Sequence, residues 1–156
     1  MIVLGIDPGT RRVGYGLVKR VGGKIVFLAA GLLRIKSKDD TGALFEIKQE
    51  IDKLIRKFRP EILATEKLFF MKNQTTGLQV AQARGVILLS GREAGLHIRE
   101  YGPNEIKTSL TGYGLADKKA VLKMVRLILG KPGLEVIDDA SDALGIAIVA
   151  TQRIAQ

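Results

Sequence analysis

Apolar positions begin as short runs and change to helical spacing near residue 44. Ile2, Val3, Leu4 and Ile6 form a run with no polar face, which stops at Asp7-Pro8-Gly9. A short apolar run bounded by Pro-Gly predicts a buried strand rather than a helix. With both faces apolar, it belongs in the centre of a sheet. Over 12–19, Val13, Tyr15 and Leu17 alternate with Gly14, Gly16 and Val18, which predicts a second strand. Val21-Gly22-Gly23-Lys24 is a turn signal, and 25–36 predicts a third. Such short turns make an antiparallel meander.

Leu44, Ile47, Ile51, Leu54, Ile55 and Phe58 then recur at helical spacing, with charged residues opposite and Arg59-Pro60 as the stop. Ile62, Leu63 and Ala64 lead to Glu66, a second apolar strand ending in one acid. A strand reached through a helix runs parallel to its neighbour by a right-handed crossover. The pattern continues with a long helix over 73–94, a strand over 98–101, helices over 103–110 and 116–129, and a closing helix over 138–154. In the long helix Leu78, Ala81, Val86, Leu89 and the small Ala83, Gly85 and Gly91 suggest a face open to close approach. These elements predict an α/β fold: one domain over 1–156 with a mixed five-stranded sheet, a meander then parallel strands, and helices on both faces.

Charge narrows the partner. Lys and Arg number 25 against 16 acids, a net charge of +9, which favours a polyanion such as nucleic acid. Aromatics are only 5%, so a broad stacking platform for single strands is poorly supported. There is no cysteine, and His97 is the only histidine. Thiolate chemistry, zinc–thiolate sites and histidine triads therefore lack parts. His97, between Leu96 and Ile98, reads as structural. No apolar run reaches membrane-span length and the first residues show no leader pattern, so a cytoplasmic protein is expected.

The remaining chemistry rests on acids. Asp7 and Glu66 each end an apolar strand, and sites in open sheets form beyond strand carboxyl ends. Asp139 and Asp142, at i and i+3, share a face of the closing helix, while Asp138 is placed to cap it. Four unpaired carboxylates would repel one another. Divalent ions relieve that, and all-oxygen ligands suit Mg²⁺, with Mn²⁺ able to substitute. Two such ions about 3.5–4 Å apart can activate water against a phosphodiester. The plainer reading makes each acid a cap or surface charge; Asp7 could simply cap its own Asp-Pro-Gly turn.

GIDPGTRRVGYG (5–16), ATEKLFFMKN (64–73), QARGV (82–86), NEIKTSLTGYGLADK (104–118) and DASDAL (139–144), in this order, resemble the RuvC family of Holliday-junction resolvases over nearly the whole chain. The resemblance implies an RNase H-like fold and Mg²⁺ held by Asp7, Glu66, Asp139 and Asp142. It implies a homodimer that makes paired nicks in a four-way DNA junction, leaving 5′-phosphate and 3′-hydroxyl ends, in recombination and repair. It also implies RuvA and RuvB, the branch-migration proteins, as partners. A two-fold symmetric substrate suits an isologous dimer, with the 73–94 helix as the candidate interface.

Lys107 and Lys118 match basic residues near the family's active site and are expected to offset transition-state charge. Their plainer reading is solvated surface lysine. Lys119, Lys123 and Arg126, with Lys72, Arg11 and Arg12, are expected to contact phosphates. Phe69 matches an aromatic that wedges against bases opened at the crossover; alternatively Phe69 and Phe70 both sit in the core. Three rival readings exist. Asp-x-Gly-Thr occurs in actin-like ATP-binding proteins, which need two such domains. A shorter YqgF-like nuclease would act on RNA. A junction binder without catalysis would gain nothing from its acids.

Overall fold

A computed structural model describes residues 1–68 and 74–152. Its elements are β1 (Ile2–Asp7), β2 (Gly14–Val21), β3 (Lys24–Leu32), α1 (Asp40–Phe58), β4 (Ile62–Glu66), α2 (Gln74–Glu93), β5 (His97–Tyr101), α3 (Pro103–Thr111), α4 (Lys118–Ile128) and α5 (Asp138–Gln152). The sheet order is β3-β2-β1-β4-β5. β1 pairs antiparallel with β2 and parallel with β4; β4 pairs parallel with β5. The run without a polar face is the central strand, as its pattern requires.

Strand alternation sorts the core into two layers. Val3, Ile62 and Ala64 pack with Ile106 and Leu110 of α3, Val121 and Val125 of α4, and Leu144 and Ile148 of α5. Leu4, Ile6 and Leu63 face the other way, onto Ile47 and Ile51 of α1 and Ala83 and Ile87 of α2. Asp39 caps α1 by accepting the Gly42 N–H at 2.7 Å. Such a cap contributes about 1 kcal/mol. Ile47 and Ile51 are fully buried, and each contributes about 1.5–3 kcal/mol. Packing rather than capping therefore holds the helix. At its end Arg59 turns left-handed (φ 48°), because Pro60 disfavours another right-handed residue.

Several boundaries differ from those the pattern predicts. β3 ends at Leu32 rather than residue 36, because its partner begins at Gly14, opposite Leu32. Glu46 Oε2 instead accepts the Lys36 and Ser37 N–H groups. α4 starts at Lys118, two residues later than expected, where Asp117 accepts the Ala120 N–H at 2.7 Å. Asp138 is the first residue of α5 and not its cap; the Ser141 N–H bonds back to Ile137 O, which extends the turn one residue upstream. α2 does not present its small residues on one face. Ala83 and Gly91 are buried, Gly91 against Leu63 and Ile98, while Leu78, Ala81, Gly85 and Leu89 point outward.

Candidate active site

The acids meet because a helix lies directly on the sheet. Gly5 and Gly16 face each other across β1 and β2, and Asp7 lies opposite Gly14. A Cβ built on Gly5 would sit 2.2 Å from Ala143 O, and one on Gly16 would sit 2.6 Å from Leu144 N. On Gly14 it would strike Asp139 O at 2.0 Å. Real Cβ atoms do not approach so closely, so only glycine lets the first turns of α5 rest on the strands. The register Ile6↔Thr65 sets Asp7 beside Glu66 at the ends of two parallel strands. Alternation turns both toward α5. The positive N-terminal end of α5, carrying Asp138, Asp139 and Asp142, completes the group.

Three of these acids resist ionisation. Asp7 is pushed up from 3.8 to about 7, first by burial, then by the negative charges of Asp142, Glu66 and Asp139, against the pull of Lys118. Burial and Asp142 raise Glu66, while Lys107 lowers it. Burial raises Asp142, Lys118 lowers it, and Asp138 and Asp139 raise it. Each would gain from added positive charge.

Lys118 and Lys107 already supply part of it to these three, and Arg12 pairs with the fourth acid, Asp139. Lys118 Nζ lies 3.5 Å from Asp142 Oδ2 and 3.7 Å from Asp138 Oδ2. Asp142 chiefly accounts for the raised affinity of Lys118 for its proton. Arg12 grips Asp139 Oδ2 through Nε at 3.1 Å and Nη2 at 2.7 Å. A small cavity of about 140 Å³ is lined by Glu66, Lys107, Lys118 and Asp142 over Pro103, Ile106, Val121 and Ile146. Among the described residues, no three acid or histidine side chains form a closed ligand cage. The four acids interact through their charges, with Asp139 held by Arg12. The donor chemistry nonetheless fits a hard divalent ion: oxygen donors alone, and three carboxyls whose charge burial opposes.

The other basic residues divide. Lys119 and Lys123 are exposed one turn apart on α4. Arg126, farther along α4, donates from Nε to Leu134 O at 3.0 Å and is tied back to the segment after the helix. Arg11 donates to Lys38 O and to Asp40 Oδ1, both at 2.9 Å, and so ties the β1–β2 loop to the start of α1. Phe69, Phe70 and Lys72 lie outside the described residues. His97 opens β5 with its side chain exposed, away from the acids. The pattern gave no role to Arg84 of α2, which donates from Nε to Glu66 O at 3.3 Å and pairs with Glu100 of β5. It ties α2 to the end of the strand bearing Glu66. Its only trace in the sequence is a cation within the QARGV stretch.

A mixed sheet whose parallel strands β1 and β4 end in mutually repelling acids, in a chain of net charge +9, fits a nuclease of the phosphodiester-hydrolysing class. The family described as crossover junction endodeoxyribonuclease RuvC matches residues 3–150. A relative of that description from Heliobacterium modesticaldum is 42% identical over 149 residues, 95% of this chain and 92% of the relative. One from Fusobacterium nucleatum is 45% identical over 150 residues, covering 95% and 78% of the two chains. The solved structure of Thermus thermophilus RuvC in complex with a Holliday junction substrate superposes with a TM-score of 0.89 at 33% identity, covering 97% of this chain and 93% of that one. The chain belongs to the RuvC family.

Proposed function

We propose that this protein is a Holliday-junction resolvase: an endodeoxyribonuclease that makes paired, symmetric nicks in four-way DNA junctions during recombination and repair. The observation that carries the reading is the acid group at the ends of β1 and β4, whose charges oppose one another inside a chain of net charge +9. Family membership and the likeness to the junction-bound Thermus structure support the substrate.

Asp7, Glu66, Asp139 and Asp142 would hold Mg²⁺, or Mn²⁺ in its place, with two ions per site. Bound there, the ions would polarise the phosphodiester and favour attack by water. The water oxygen bonds to phosphorus, the P–O3′ bond breaks, and the departing oxygen takes a proton. The products are a 5′-phosphate and a 3′-hydroxyl. Burial of Asp7 and Glu66 keeps bulk water from screening their charge. Lys107 and Lys118, lining the same cavity, offset negative charge on the phosphate as it is cut. Lys119 and Lys123, with Lys72, Arg11, Arg12 and the wedge residue Phe69, would hold the junction arms.

Two coordinated cuts call for two copies. The outward stripe Leu78, Ala81, Gly85 and Leu89 of α2 is the surface proposed to pair in a homodimer; Leu78 and Leu89 are 66% and 54% exposed. RuvA and RuvB are the proposed partners, residues 1–156 the nuclease domain, and the cytoplasm the location. Among the described residues no helix is long and apolar enough to cross a membrane. The deciding experiment is Mg²⁺-dependent cleavage of a synthetic four-way junction beside Asp7→Asn. Symmetric nicks from the wild type, lost in the variant with binding retained, are expected. Binding without nicks in either Mg²⁺ or Mn²⁺ would overturn the enzyme.

A further inference from the structure

The four acids are not equally available to an ion. Arg12 holds Asp139 with two donors converging on one oxygen, at 2.7 and 3.1 Å, whereas Lys118 reaches Asp142 only at 3.5 Å. Asp139 is 26% exposed in that grip, while Arg12 is 65% exposed and comes from the loop between β1 and β2. So exposed a side chain can swing away without opening the core. A guanidinium and a divalent ion cannot both sit on Asp139 Oδ2 without strong mutual repulsion.

We infer that Arg12 is a positioning residue that holds Asp139 in the ion-free protein and competes with the divalent ion for that carboxylate. The inference rests on reading the acids as an ion site. Loading is then staged. Asp139 would become available to an ion only once Arg12 has left. The guanidinium lowers the ion affinity of the protein without DNA.

The test is Mn²⁺ binding to the intact protein without DNA, read from the electron paramagnetic resonance of the free ion. Four proteins are compared: wild type, Arg12→Gln, Asp139→Asn and the double variant. Because Arg12 is exposed, Arg12→Gln keeps the fold, which circular dichroism checks. Arg12→Gln is expected to bind Mn²⁺ about threefold to fivefold more tightly, the upper part of the range an exposed but well-aligned ion pair allows. In the Asp139→Asn background the same change is expected to shift affinity less than about twofold, since the two residues act through one contact. Unchanged or weaker affinity in Arg12→Gln overturns the inference. So does a gain that survives Asp139→Asn, because Arg12 would then act only as a distant charge. Asp7→Asn separates the two levels. If wild type and Asp7→Asn bind Mn²⁺ alike, or none binds, the ion site itself fails and the inference falls with it.

Discussion

Replacing Asp7 with asparagine should make the ion-free protein more stable, by an amount that depends on pH. The Asp7 carboxyl titrates near 3.8 in an unfolded chain and at about 7 in the fold. Between those values the folded state binds more protons than the unfolded state, so stability falls as pH rises. The penalty is absent well below 3.8 and complete above about 7. Integrated over that window it is about 1 kcal/mol at pH 4.5 and about 4 kcal/mol at pH 8. Asparagine keeps the shape and cannot ionise. Asp7→Asn should therefore gain roughly 3 kcal/mol on the wild type between pH 4.5 and pH 8. The repulsion from Asp142 and Glu66 is part of the Asp7 shift and is lost with its charge, so the three carboxyls titrate as a coupled set. The assay is urea unfolding in chelator, with both proteins at each pH. Added Mg²⁺ should narrow the difference above pH 7 by stabilising the wild type more. A stability difference that stays flat from pH 4.5 to pH 8 would refute the claim that buried, mutually repelling carboxyls make the site.

Other outcomes follow from the same geometry. Gly16→Ala drives a Cβ into the α5 backbone and should cost about 1–3 kcal/mol or more by thermal unfolding, with nicking lost even in protein that stays folded. Lys118→Met removes the cation beside Asp142 and should lower the cleavage rate on the order of 10²-fold while junction binding changes little; a rate within twofold of wild type would return Lys118 to the ordinary surface. Arg84→Met leaves Glu100 without its ion-pair partner and frees Glu66 O, so urea unfolding should show a loss of about 1–3 kcal/mol and cleavage should fall with it.

The sequence was most legible where periodicity met a physical boundary. The run 2–6 had to be central, and β1 is the third of five strands. Glu66 was expected beside Asp7, because a helical crossover usually sets the two parallel strands side by side, and the register does so. What escaped were relations between residues far apart in the chain. Gly14 and Gly16 stood only as alternate positions of a predicted strand, yet their value appears once α5 is laid across them. Arg12 read as one more phosphate contact, although its partner Asp139 stands 127 positions away. Arg126 was assigned to a basic face by helical spacing, which cannot foresee the carbonyl of Leu134 coming within reach. The small residues of α2 suggested one contact surface, while burial divides them between the sheet and solvent.

At Gly5, Gly14 and Gly16 the first turns of α5 meet β1 and β2 backbone to backbone, so at those contacts no side chain can shrink or rotate to retune the gap between the acids of the strands and those of the helix. The only substitutions open at Gly5 and Gly16 add atoms, so change at these positions is one-directional: it can only widen the site.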